Sequence, residues 1–274
     1  MSFKPIRNTI SSKSDLEDIA RQIRDYRYQH QQDTGEPLIE LFRGQGRDMW
    51  KLQPNIARKL KDVNEIKKIE KEIIQEFNDE LVHNNLTNLI QKKFLKGKFH
   101  EEWLLIEQAQ HFKIPTRFMD WTGREDIALF FAVSDPNDDI YDGEFWIYLV
   151  PIDYMTTDSE EATYYNIDPF EFNETLFLSA SSFLSDDYPL KSALRRAVRQ
   201  NGKFLIQNHT TILTPLQNNP DHIKYLHRII IPKAAKNSLR NYLTAKGLTK
   251  DGLYVANEQQ VEDIVLKLKM KYGL

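Results

Sequence analysis

AQHFKIPTRFMDWTGREDIALFFAV, residues 109–133, is the stretch on which the fold turns. Its first residues close a helix whose spacing covers 99–112. Pro115 stops that helix, because its ring disfavours the α conformation for the residue before it. Residues 118–122 then read as a short strand or turn. Residues 125–133 are strongly apolar and read as a short buried helix.

Upstream, Ser14 and Glu17 form a capping-box pattern ahead of a polar amphipathic helix running to about Gln31. DTGEP, residues 33–37, breaks it. A short apolar strand over 38–42 ends in Arg43-Gly44-Gln45-Gly46. Val63, Ile66, Ile69, Ile73, Ile74 and Phe77 have helical spacing within a charged helix over 63–82. A further helix is expected over 86–95, with Lys92, Lys93, Lys96 and Lys98 clustered around it as a solvated face.

Downstream, EFWIYLV (144–150) follows Asp142-Gly143 as a strand, and KFLIQ (203–207) and YLHRIII (225–231) are two more. Residues 191–199 suggest a basic helix. Pro232 fits the first turn of a helix reaching about Lys246, and Asn257 caps a last helix over 258–272. This mixture predicts an α+β fold: a single mixed or antiparallel sheet with N-terminal and inserted helices. The chain reads as one domain, 1–274, with a motif core at 38–207, a helical insertion at 55–112 and a C-terminal strand–helix tail at 222–274.

Composition narrows the chemistry. The absence of cysteine in 274 residues excludes disulfide scaffolds, thiolate metal sites and cysteine nucleophiles. No apolar run approaches the ~18 residues of a membrane span. MSFKPIRNTISSKSD lacks a signal-peptide core, so a cytoplasmic location and no membrane partner are expected. The net charge of −3 conceals an asymmetry: residues 135–187 hold 14 acids and no Lys or Arg, leaving the remainder at +11. That is either an acidic insert on a mildly basic body or a basic surface for a polyanion. HExxH, Walker, GxGxxG and GxSxG patterns are all missing, and no metal ligand set is expected.

Three polar segments remain: 42–45, 110–122 and 199–204. Arg43 ends an apolar strand, where its charge needs a partner: an ion pair with Asp120, or a bidentate clamp on a ligand phosphate or ribose. Gly44 and Gly46 suit a turn or a close ligand approach. Asp120 is either a structural partner for Arg43 or Arg117, or a base. Trp121 is core or a stacking platform, Thr122 a helix cap or a ligand contact, and His111 a structural group or a general base.

FRGQ at 42–45, AQHFKIPTRFMDWT at 109–122, ALFFAV at 128–133 and RQNGKF at 199–204 together resemble the FRG domain family. Lys113-Ile114 departs from the residues that family often carries there. The order of these blocks is similar to that of ADP-ribosyltransferases. The resemblance implies an NAD-dependent toxin or effector that modifies a macromolecule, RNA or protein, in phage or bacterial conflict, with an antitoxin or regulatory partner. It implies catalytic roles for Arg43, Asp120 and Gln200, and cofactor contacts from Arg43, Gly44, Gln45, His111, Arg117, Trp121 and Thr122, with NAD as the substrate. No Glu opens the third strand as that chemistry expects; Glu144 and Glu258 are the nearest later acids. The alternatives are a non-catalytic module binding nucleotide or nucleic acid, and a partner-binding scaffold.

Overall fold

The computed structural model describes residues 3–4, 7–87, 97–155, 164–179, 202–249 and 259–274. Outside them lie most of the helix expected over 86–95 with Lys92, Lys93 and Lys96, the basic helix 191–199, Gln200, Asn257 and Glu258.

Six strands form one antiparallel sheet: β1 (Leu38–Gln45), β2 (Phe118–Thr122), β3 (Gly143–Pro151), β4 (Leu176–Ser179), β5 (Gly202–Ile206) and β6 (Leu226–Ile231). Their order is β4-β5-β2-β1-β3-β6. Strand β1 runs on through Arg43, Gly44 and Gln45, past the expected end at 42, because β3 pairs with its whole length, from Leu38 opposite Pro151 to Gln45 opposite Glu144. Strand β4 was not expected from the acidic stretch.

Helices α1 (Lys13–Thr34), α2 (Asn55–Lys59), α3 (Val63–His83), α4 (His100–His111), α5 (Glu125–Val133), α6 (Lys233–Ala245) and α7 (Gln259–Tyr272) surround the sheet. The α1 capping box sits two residues earlier than expected. Ser12 caps the helix and Asp15 returns the bond to the Ser12 amide at 3.0 Å. Asp15 also accepts from the Ser11 amide at 2.9 Å and pairs with Arg7, which settles the choice.

Strand alternation sorts the core into layers. On one face, Leu38, Phe42, Phe145, Ile147, Ile229 and Ile231 pack beneath α1, α5 and α6. On the same face of the other half-sheet, Phe118, Leu176, Leu178, Phe204 and Ile206 meet α3, α4 and α7. The opposite face gathers Leu41, Met119, Trp121, Trp146, Tyr148, Phe177 and Leu205 under Leu52 and Leu216. The two halves join at β1 and β2, which share a single paired position, Phe42 opposite Thr122. Beyond it the strands part. No helix among the described residues is long and apolar enough to cross a membrane.

Candidate functional site

The parting of β1 from β2 leaves a cavity of about 230 Å³. Phe42, Arg43, Gly44, Gln45 and Gly46 line it from β1 and its end, Asp120, Trp121 and Thr122 from β2, Ala128 and Phe131 from α5, and Trp50 and Arg58 from the segment after β1. Six expected site residues therefore converge here: Arg43, Gly44, Gln45, Asp120, Trp121 and Thr122. Their convergence follows from the seam, which places the ends of two motif strands side by side.

Arg43 is half-buried and donates through Nη1 to the main-chain oxygen of Asp120, while its Nε has no partner among the described residues. The strand separation explains the first contact: the side chain bonds a carbonyl at the point where the ladder stops. Burial pushes the guanidinium down to about 10; the Asp120 charge opposes this, and the Arg58 charge adds to it. Arg58 spends its bonds on main-chain oxygens, reaching Gln53 at 3.2 Å and Lys51 at 3.3 Å. Burial lowers its pKa as well. Two guanidiniums thus border one cavity, with the bonds described for them going to carbonyls and none to a carboxylate.

Gly44 has a packing reason. A Cβ there would stand 2.8 Å from both the Ala128 carbonyl carbon and the Ala132 amide nitrogen, and closer still to the Ala128 oxygen. Only a missing side chain lets α5 sit directly on β1. At Gly46 a Cβ would meet the Asp138 carboxylate.

Asp120 is held by a polar relay. Gln110 Nε2 donates to Asp120 Oδ2 at 3.0 Å, Thr116 Oγ1 donates to Gln110 Oε1 at 2.8 Å, and Thr116 Oγ1 accepts from the Phe118 amide at 3.1 Å. Trp121 is core and cavity wall at once. Its ring packs 5.4 Å from Tyr148, yet its buried Nε1 has no partner among the described residues. Thr122 Oγ1 accepts from the Arg124 amide at 3.1 Å, two residues short of the α5 N-cap.

Arg117 and His111 lie outside the cavity. Arg117 is wholly buried opposite Glu70, Nε to Oε2 at 3.5 Å, and its amide donates to Glu70 Oε1 at 2.7 Å. Its Nη1 donates to the Phe172 oxygen at 2.6 Å and its Nη2 to the Pro169 oxygen. Burial raises the Glu70 pKa and lowers that of Arg117, and each charge opposes the shift of the other. Nη1 also lies 3.2 Å from His209 Nδ1, so the imidazole accepts; burial and Arg117 push its pKa down to about 3. His111 ends α4 half-buried, its ring 5.1 Å from Phe112.

Sequence reasoning did not single out Trp50, Arg58 or Phe131, and left Glu144 outside any motif. Trp50 sits beside Arg47, whose guanidinium lies 5.3 Å from the Trp50 ring and pairs with Asp138 at 2.6 Å. Glu144 is buried directly across from Gln45 on β3. It accepts from Gln45 Nε2 at 2.9 Å, Trp146 Nε1 at 2.8 Å and Arg228 Nε at 2.5 Å. Burial raises its pKa against those three donors. Among the described residues no group of three His, Asp or Glu side chains stands ready for a metal ion.

The fold and this cavity define an α+β domain with a cationic pocket in a divided sheet. Residues 39–140, the span from β1 through α5, match the FRG domain family. No curated protein and no solved structure matches the chain.

Proposed function

We propose that the seam cavity binds a nucleotide through a phosphate and its ribose, with NAD the candidate occupant. One observation carries this reading. Three buried polar atoms on cavity-lining residues lack partners among the described residues: Arg43 Nε, Trp121 Nε1 and Gln45 Oε1. Buried polar atoms in folded proteins are bonded in roughly nine cases of ten, so three orphans around one cavity suit a ligand that supplies the missing partners. Arg43 and Arg58 offer charge-assisted donors to a phosphate. Trp50 and Phe131 offer flat apolar surface. The volume, about 230 Å³, falls below the ~300 Å³ at which whole small-molecule sites begin. It suits one section of a dinucleotide, with the remainder outside.

Transfer of ADP-ribose is a second reading, favoured by the exposed Asp120 carboxylate on the same cavity. NAD bound there would supply the ADP-ribosyl group. Arg43 and Arg58 would hold its phosphates, and Asp120 would stabilise positive charge on the ribose. The acceptor would be a macromolecule, and the basic remainder of the chain favours RNA over protein. An effector role in phage defence and an antitoxin partner rest on the family resemblance.

Calorimetric titration with NAD, run on the unaltered protein and on Arg43→Met, tests the first reading. Binding that weakens at least tenfold in the variant, with its thermal unfolding unchanged, is expected. Absence of binding by NAD and by mononucleotides refutes it. Nicotinamide release, measured on the same samples with and without RNA, separates transfer from binding alone.

A further inference from the structure

The orientation of the Gln45 amide is settled by its neighbours. Its Nε2 donates to the Trp50 main-chain oxygen at 3.1 Å and to Glu144 Oε2 at 2.9 Å. Both sites are acceptors, so the NH₂ must face them; the reverse orientation would set a carbonyl oxygen against a carboxylate. Glu144 is fixed in turn by Trp146 and Arg228. What remains is Gln45 Oε1, buried, without a partner among the described residues, on a residue that lines the cavity.

We infer that Gln45 is a specificity-determining residue that accepts a hydrogen bond from a ligand hydroxyl, so that the site selects ribose over sugars lacking it. This rests on the nucleotide reading above and sharpens it. Arg43 and Gln45 are alternate residues of β1, on one face and about 7 Å apart along the strand. One ligand that carries both an anion for Arg43 and a hydroxyl donor for Gln45 can therefore engage both residues, and a pentose phosphate carries both. A bare oxyanion at Gln45 is disfavoured, because it would meet the amide oxygen with the Glu144 carboxylate behind it. A ligand with no donor there leaves the acceptor buried and unpaired, and that penalty is what discriminates.

The test uses the full chain and three probes: inorganic phosphate, adenosine 5′-monophosphate and its 2′,3′-dideoxy analogue, each titrated calorimetrically. The monophosphate is expected to bind about tenfold more tightly than the dideoxy analogue. Gln45→Met, similar in length but without the acceptor, is expected to erase that difference. The comparison of the two nucleotides on the unaltered protein needs no variant, so a poorly folding Gln45→Met does not blunt it. Equal affinity for the two nucleotides overturns the role of Gln45 and leaves the nucleotide site standing. Failure of all three probes to bind overturns the nucleotide reading itself.

Discussion

Replacing Gly44 by alanine adds a single methyl group, and the structure says where it goes. The new carbon would lie 2.8 Å from the Ala128 carbonyl carbon and from the Ala132 amide nitrogen. Carbon atoms in contact rest about 3.5–4.0 Å apart, so α5 must move from β1 by roughly 1 Å. Every obstructing atom is main chain, so no rotamer change relieves the contact. Overpacking of this kind costs about 1–3 kcal/mol, and the rigid neighbours place Gly44→Ala near 3. For a chain of this size that lowers Tm by about 6–12 °C. Far-UV circular dichroism against temperature reads it directly. Gly247→Ala is the control: its φ of +80° strains a side chain, but nothing stands within 4 Å of the new carbon. Its loss should stay near 1 kcal/mol. If Gly44→Ala costs no more than the control, α5 slides freely over β1 and the close-approach argument is wrong.

Three further outcomes are expected. Glu70→Gln leaves the buried Arg117 charge uncompensated and should cost about 3–5 kcal/mol in chemical denaturation; a loss below 1 kcal/mol would show that the main-chain oxygens of Phe172 and Pro169 suffice for Arg117. His209 has a folded pKa near 3, below the ordinary 6.5, so the unfolded chain takes up a proton first as pH falls. Stability should therefore decline from pH 6.5 toward 3, by several kcal/mol in all, and His209→Gln should flatten that slope; an unchanged slope would assign it to other groups. Thr116→Val cuts the relay to Gln110 and Asp120 and leaves the Gln110 oxygen and the Phe118 amide short of a partner, for a cost of about 1–3 kcal/mol in thermal unfolding. A neutral result would remove the relay as the reason Asp120 is held.

Much of the architecture was legible because long apolar strands and spaced helices announce themselves. EFWIYLV is buried along its whole length as β3, and Ile66, Ile73, Ile74 and Phe77 do form the inner face of α3, while Ile69 stays half-buried and Glu70 takes a buried place instead. LFLS, at four residues within an acidic stretch, is too short to carry a period, and β4 was missed. Arg117 shows a deeper limit. It stands three residues from Asp120 in a polar block, yet the partner that claims it, Glu70, lies 47 residues earlier on α3. No local pattern records such a pairing. Arg58 and Trp50 reach the cavity from a segment with no recognisable spacing, so only the folded chain reveals them. Gly44 was legible as special, but its reason, an approaching helix, belongs to tertiary packing.

The single pairing of Phe42 with Thr122 has a consequence for cooperativity. Each half-sheet has its own helical cover, and little ladder joins them, so the strands on either side of the gap are free to breathe before the sheet as a whole opens. Amide protons of Arg43 to Gln45 and of Asp120 to Trp121 that face the gap should exchange with solvent sooner than those of β3. A molecule lodged across the gap would tie the halves together and slow that exchange on both sides at once. The protein would then report occupancy of the cavity as a gain in mechanical unity across six strands.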